Sequence, residues 1–376
     1  MIYLDWNATT PPLPSVVEAM AEVAQRAWGN PSSVHRHGGI ARAEVEAARS
    51  AVAELAGVDV RDVVLTSGGT EANNMALRSV APRGATSTLP RIVTSRLEHP
   101  SVQNTLDALV REGLAEARWL RVTETGTVDL EDLARALDEA ETTLVSVQAA
   151  NHETGVLQPV GEVLRLCRAR EVRVHVDAVQ VFGKHDDLWI EADYRSLAAH
   201  KLRGPKGIGA LVTRPFAKLG ALLSGGAQER GLRPGTVDPV AAAGLRVAAE
   251  GARARAARYP ELGARRDAFE DDVCSMHADV RVAGRGAPRL PHVTNLVLPG
   301  LRAPEVVAAL DLEGVSVSAG AACSAGTVDP SPVIGAMLGP ALAGSAVRVS
   351  FGPETSEAEL DQARAAFRRV LSRFYV

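Results

Sequence analysis

The stretch Ala198-Ala199-His200-Lys201-Leu202-Arg203-Gly204-Pro205-Lys206-Gly207-Ile208-Gly209-Ala210-Leu211 sets a lysine directly after a hydrophobic strand pattern and ahead of a glycine-rich turn. Glycine lets backbone approach a ligand closely. A lysine amine fixed there can serve as a Schiff-base nucleophile once its neighbours keep part of it neutral. The chain has only four lysines, Lys184, Lys201, Lys206 and Lys218, and otherwise carries basic charge as arginine. An amine retained at this position is therefore informative. The plain alternative is a surface lysine beside a turn.

Strands alternate with helical patterns on the N-terminal side of this stretch. Val63-Val64-Leu65-Thr66, Ile92-Val93-Thr94, residues 117–122, 143–147, 172–176 and 194–198 read as short buried strands, and 209–213 follows the lysine. Such repetition predicts an α/β fold with a mostly parallel sheet and helices on both faces. Ligands of such sheets sit beyond the carboxyl ends of the strands, which picks out Thr70, His99, Asn151, Asp177 and Lys201. Helices are expected from Pro14 and over 38–57, and a long alanine- and arginine-rich helix over 241–257. Residues 251–376, joined by the extended segment 1–12, read as a smaller α+β domain beside a large domain of residues 13–250.

The 376 residues have 46% hydrophobic and 23% charged composition, with net charge −4. That is ordinary globular chemistry, with no footprint for nucleic acid. No apolar run reaches membrane-spanning length, and the N-terminal residues are too polar for a signal peptide. Three cysteines without a Cys-x-x-Cys pair fit a reducing cytoplasm. No His/Cys/Glu set has metal-ligand spacing, so no metal is expected.

Several residues carry chemistry with two readings each. Asp177 closes a buried strand and suits a pyridinium nitrogen, or else caps a helix. Ser67-Gly68-Gly69-Thr70 opens a helix and suits a phosphate, or is an ordinary cap. His99 can stack on an aromatic cofactor or move a proton, or is a capping histidine. Asn151 can bind an oxygen of cofactor or substrate, or simply hold its own turn. Arg348 inside an apolar strand suits a carboxylate, or faces solvent from a strand edge. Cys323, among small residues 316–326, is placed as an accessible nucleophile, whereas Cys167 and Cys274 read as core. His35, His37, His152, His175 and His185 are assigned structural roles.

In order and spacing, the set resembles the pyridoxal-phosphate-dependent cysteine desulfurases, group I, of the class V aminotransferase family with fold type I. The likeness runs from Tyr3-Leu4-Asp5-Trp6-Asn7-Ala8-Thr9-Thr10-Pro11 through Thr66-Ser67-Gly68-Gly69-Thr70-Glu71-Ala72-Asn73-Asn74. It continues through Glu98-His99, Asn151-His152-Glu153-Thr154-Gly155, His175-Val176-Asp177-Ala178-Val179-Gln180, His200-Lys201 and Arg233-Pro234-Gly235-Thr236 to Gly320-Ala321-Ala322-Cys323-Ser324. The resemblance implies that Lys201 holds pyridoxal 5'-phosphate covalently and moves protons at the substrate α-carbon. It implies that Asp177 pairs the ring nitrogen, Gln180 the ring hydroxyl, and that His99 stacks on the ring. Gly69, Thr70 and His200 would hold the phosphate, joined by Thr236 of the partner subunit in a homodimer. Asn151 would also touch the cofactor and, with Arg348, bind the carboxylate of L-cysteine. Cys323 would take the sulfur as a persulfide, release alanine, and pass sulfur to an acceptor protein.

The sequence departs from that pattern in places. Ala198 stands where a serine touching the phosphate is usual, and His152 replaces a common second asparagine. Ala319 and Ala321 stand where serines are frequent. Selenocysteine lyase or another class V activity is the alternative reading, and a binding protein that kept only the fold is a third. Iron–sulfur assembly, tRNA thiolation and DNA modification all remain open as the destination of sulfur.

Overall fold

The computed structural model describes residues 1–81, 88–185, 191–215, 217, 219–320 and 329–375. The chain begins with strand β1 (Ile2–Tyr3) and helices α1 (Pro14–Arg26) and α2 (Arg36–Ala56). Alternation follows: β2 (Val63–Thr66), α3 (Gly69–Arg78), β3 (Arg91–Ser95), α4 (Pro100–Arg111), β4 (Glu116–Leu120), α5 (Leu130–Glu139), β5 (Leu144–Gln148), α6 (Val160–Arg168), β6 (Arg173–Asp177), β7 (Tyr194–Ala198) and β8 (Gly209–Thr213). The remainder comprises α7 (Pro239–Glu250), α8 (Ala252–Ala256), α9 (Leu262–Cys274), β9 (Arg281–Val282), β10 (Val293–Val297), α10 (Ala303–Leu312), β11 (Val315–Ser316), β12 (Ser318–Ala319), α11 (Pro332–Leu338), β13 (Ala346–Ser350) and α12 (Glu357–Phe374).

One seven-stranded sheet has the order β2-β8-β7-β6-β5-β3-β4. Its pairs are parallel except where β8 runs against both β2 and β7. The strands alternate between two cores, because successive side chains leave a strand on opposite faces. Val63 and Leu65 of β2, Val145 and Val147 of β5, and Ala210 and Val212 of β8 enter one core with Val45, Val52 and Leu245. Val64, Leu144 and Leu211 between them enter the other, with Met75, Leu77, Val102 and Leu106 of α3 and α4. Both faces are thus covered, as a parallel sheet requires. The carboxyl ends of β2, β3, β5, β6 and β7 consequently open on one edge.

A second sheet, β12-β13-β10-β9, is antiparallel and packs its core against α9, α10 and α12. The N-terminal segment joins this part of the molecule: β1 pairs in parallel with β11, and Asp5 bridges Ser350.

One expectation is corrected. The helix expected over 241–257 breaks at Gly251 into α7 and α8. A Cβ on Gly251 would lie within 2.2 Å of Arg255 Nη1, and that guanidinium reaches back to the carbonyls of Ala248 and Leu202. Bare backbone at 251 makes room for the arginine to cap the exposed end. Residues 315–319 form two short strands, because the chain changes partners at Val317 from β1 to β13.

Candidate active site

The strand ends surround a cavity of about 160 Å³ whose walls include Gly69, Thr70, His99, His152, Asp177, Gln180, His200 and Lys201. Lys201 ends a single 3₁₀ turn, Ala199–Lys201, that follows β7 directly. Its Nζ donates to the carbonyls of Asn7 and Ala8, the latter at 2.8 Å. The N-terminal segment therefore bends over the site and holds the amine with neutral oxygens.

Asp177, 7% exposed, ends β6 and lines the same cavity. Its Oδ2 accepts from Asn73 Nδ2 at 2.7 Å and its Oδ1 from Val179 N at 3.0 Å. Both donors are neutral. A buried carboxylate without a cation in contact is costly unless a ligand supplies one. The helix-capping alternative fails, since no helix lies between β6 and β7 among the described residues.

The start of α3 forms another wall. Gly68 is its N-cap and offers no side-chain cap, so the first N–H groups of the helix lack the usual internal acceptor. Gly69 is required sterically: a Cβ there would sit 2.6 Å from Val179 Cγ2. Ala198 lies beside it, 3.8 Å from the same built position, and presents a methyl where a hydroxyl could donate.

His99 caps α4 through Nδ1, which accepts from Ser101 N at 3.1 Å, and its ring also lines the cavity. The capping reading holds, and the ring still reaches the cavity wall. Burial lowers its pKa, with Asp177 opposing and Lys201 reinforcing. His200 is pushed down to about 3, by burial first and then by Lys201, Lys184 and Lys206. Both imidazoles are neutral at pH 7. His175 stays structural, held between Ser146 Oγ at 2.8 Å and Ser196 Oγ at 3.0 Å.

Other expected residues stand off the cavity. Asn151 is buried and builds its own turn: Oδ1 accepts from Glu153 N and Thr154 N at 2.9 and 2.8 Å, and Nδ2 donates to Leu97 O at 3.0 Å. Arg348, 2% exposed, faces neither solvent nor the cavity. It donates to Asp5 Oδ1 at 2.6 Å and His152 O at 3.0 Å, and its Nε has no partner. Thr236 is exposed and does not line this chain's cavity. Cys323 lies outside the described residues; Gly320 and Ser331, the nearest described anchors that approach each other, meet beside Glu153. Among the described residues no His/Cys/Asp/Glu group could hold a metal ion, and no helix is long and apolar enough to cross a membrane.

Asn73 and His152 are among the wall residues that the sequence reading missed. Asn73 steadies Asp177 and sits one helical turn past Gly69, a spacing that could have signalled it. His152 was assigned a structural role, yet Asn151's turn carries its ring to the cavity, edge-on to His99 at 5.2 Å between centroids.

A lysine, an unpaired carboxylate and an uncapped helix start around one cavity at the strand ends define a cofactor-dependent α/β enzyme. The orphaned donors and acceptors, including Gln180 Oε1, fit a flat, charged aromatic phosphate. The profile of the family "Aminotransferase class-V" matches residues 2–363. A "Cysteine desulfurase IscS" of Dictyoglomus turgidum is 36% identical over 99% of this chain and 95% of its own. A solved "NIFS-LIKE PROTEIN" superposes with TM-score 0.89 at 32% identity, covering 99% of both chains. The structure "SspA in complex with cysteine" does so with TM-score 0.81 at 28% identity, over 95% of this chain and 100% of that one. The chain belongs to the cysteine desulfurases of the class V aminotransferase family, whose members use pyridoxal phosphate.

Proposed function

We propose that this protein removes sulfur from L-cysteine, releasing L-alanine and leaving a persulfide on Cys323 for an acceptor protein. The observation that carries the reading is the pairing of an amine, Lys201, with a buried carboxylate lacking a cation, Asp177, across one cavity. Pyridoxal phosphate supplies an electron sink beside the substrate α-carbon.

The chain's own residues supply the rest. Lys201 anchors the cofactor and moves protons at the α-carbon. Asp177, steadied by Asn73, keeps the ring nitrogen protonated, and Gln180 turns its unpaired oxygen to the ring hydroxyl. The start of α3 at Gly69 and Thr70 holds the phosphate with neutral His200, helped by Thr236 of the partner subunit in a homodimer. Neutral His99 would lie over the ring and exchange protons there. Arg348, held to Asp5 and the carbonyl of His152, braces the wall behind the substrate, and Asn151 shapes the turn beside it. The thiol of Cys323 takes the sulfur atom from cysteine, so one thiol becomes a persulfide and cysteine becomes alanine. Transfer to a protein acceptor in the cytoplasm, for iron–sulfur assembly or another sulfur pathway, would follow.

Two variants test this. Lys201→Ala should lose the visible absorbance of the bound cofactor. Cys323→Ala should keep that absorbance and lose alanine production from L-cysteine. Unchanged absorbance in the first, or full alanine yield in the second, would refute the assignment.

A further inference from the structure

The wall at His152 holds an arrangement that the reading above does not use. The His152 ring is 7% exposed, and neither ring nitrogen finds a hydrogen-bond partner. Its Nε2 stands 3.6 Å from Glu153 Oε1, which is also without a partner. The other oxygen of Glu153 accepts from Ser331 Oγ at 2.6 Å, and Ser331 in turn caps α11. A buried imidazole and a buried carboxyl, both unsatisfied and about half an ångström beyond hydrogen-bonding distance, are costly unless a ligand relieves them.

We propose that His152 is a further substrate-binding residue, which shares one proton with Glu153 and turns an N–H toward an anionic group of the amino-acid substrate. Without substrate the proton rests on Glu153. Burial pushes the Glu153 carboxyl up, only partly opposed by Ser331 and Arg348. Burial pushes His152 well down, as do His99, Arg348 and Lys201 around it. A substrate anion in the cavity reverses the preference. The proton leaves the Glu153 carboxyl for His152, giving carboxylate and imidazolium with no change in total charge. The group recognised is the carboxylate or the thiolate of cysteine, both anionic acceptors for an imidazole N–H.

The inference rests on the cavity being the cofactor and substrate site, which the Lys201→Ala spectrum tests separately. The experiment uses cofactor-loaded wild type, His152→Asn and Glu153→Gln, with L-cysteine and L-alanine bound and followed by cofactor absorbance. Loss of one bond to a charged group should weaken binding about tenfold in His152→Asn. Equal weakening for both ligands assigns the carboxylate, and weakening for cysteine alone assigns the thiolate. Nitrogen-15 NMR of His152 gives a second readout: its signal should move toward imidazolium on adding L-alanine or L-cysteine in wild type and not in Glu153→Gln. Wild-type affinity for both ligands in His152→Asn, or an imidazole signal indifferent to both, overturns the proposal.

Discussion

Replacing Gly69 by alanine tests whether the phosphate wall is as tight as its geometry demands. The added Cβ would lie 2.6 Å from Val179 Cγ2, about 1 Å inside an ordinary carbon–carbon contact. Val179 is β-branched and stiff about χ1, and its N–H is bonded to Asp177 Oδ1 at 3.0 Å. The clash therefore cannot be relieved by a flexible side-chain tip; either α3 or the Asp177 turn must move. Overpacking of this kind costs about 1–3 kcal/mol. If the strain is released by shifting groups that grip the cofactor, its dissociation constant rises roughly 5- to 150-fold. Absorbance titration of cofactor-free protein with pyridoxal phosphate measures it. Gly39→Ala is the control, because nothing lies within 4 Å of a Cβ there. Val179→Ala should rescue Gly69→Ala by removing the offending methyl. Wild-type cofactor affinity in Gly69→Ala, or no rescue in the double variant, would refute the reasoning.

Two further outcomes are expected. Glu229, bidentate to Arg49 and accepting from Leu65 N at 2.8 Å, buries its charge beside β2 just ahead of the helix start. Glu229→Gln should cost about 1–3 kcal/mol in urea unfolding, since the buried Arg49 cation then keeps only the half-exposed Glu46 as a charged partner. His175 is lowered to about 4 by burial, slightly opposed by Asp177. Between its unfolded value near 6.5 and about 4 the unfolded chain takes up the proton first. Its stabilising contribution, about 3 kcal/mol, is complete above pH 6.5 and fades as pH falls to 4. His175→Asn should flatten that part of the curve of unfolding free energy against pH, and an unaltered acid slope would contradict it.

The site was legible wherever chemistry is local in the chain. The strand-then-glycine pattern at Lys201, the aspartate closing β6 and the glycines opening α3 each fall just past a hydrophobic run. Residue order alone therefore placed them on one edge of a parallel sheet. The break at Gly251 was hidden because alanine and arginine carry a helical pattern straight across it. Only Arg255 folding back onto the carbonyl of Ala248 shows why bare backbone is needed there.

Sequence by itself determined the alternation of strands and helices, because burial on two faces imprints an apolar period that needs no partner to be read. It also determined which side chains stand past the strand ends, since chain direction fixes that edge. Tertiary structure alone decided which of those side chains face the cavity. Arg348 turned to Asp5, Asn151 closed its own turn, and His152 came to the wall beside a glutamate it almost touches. Arg348 to Asp5 and Asn151 Nδ2 to Leu97 O join residues far apart in the chain, and a buried polar group takes whichever partner the packing brings close.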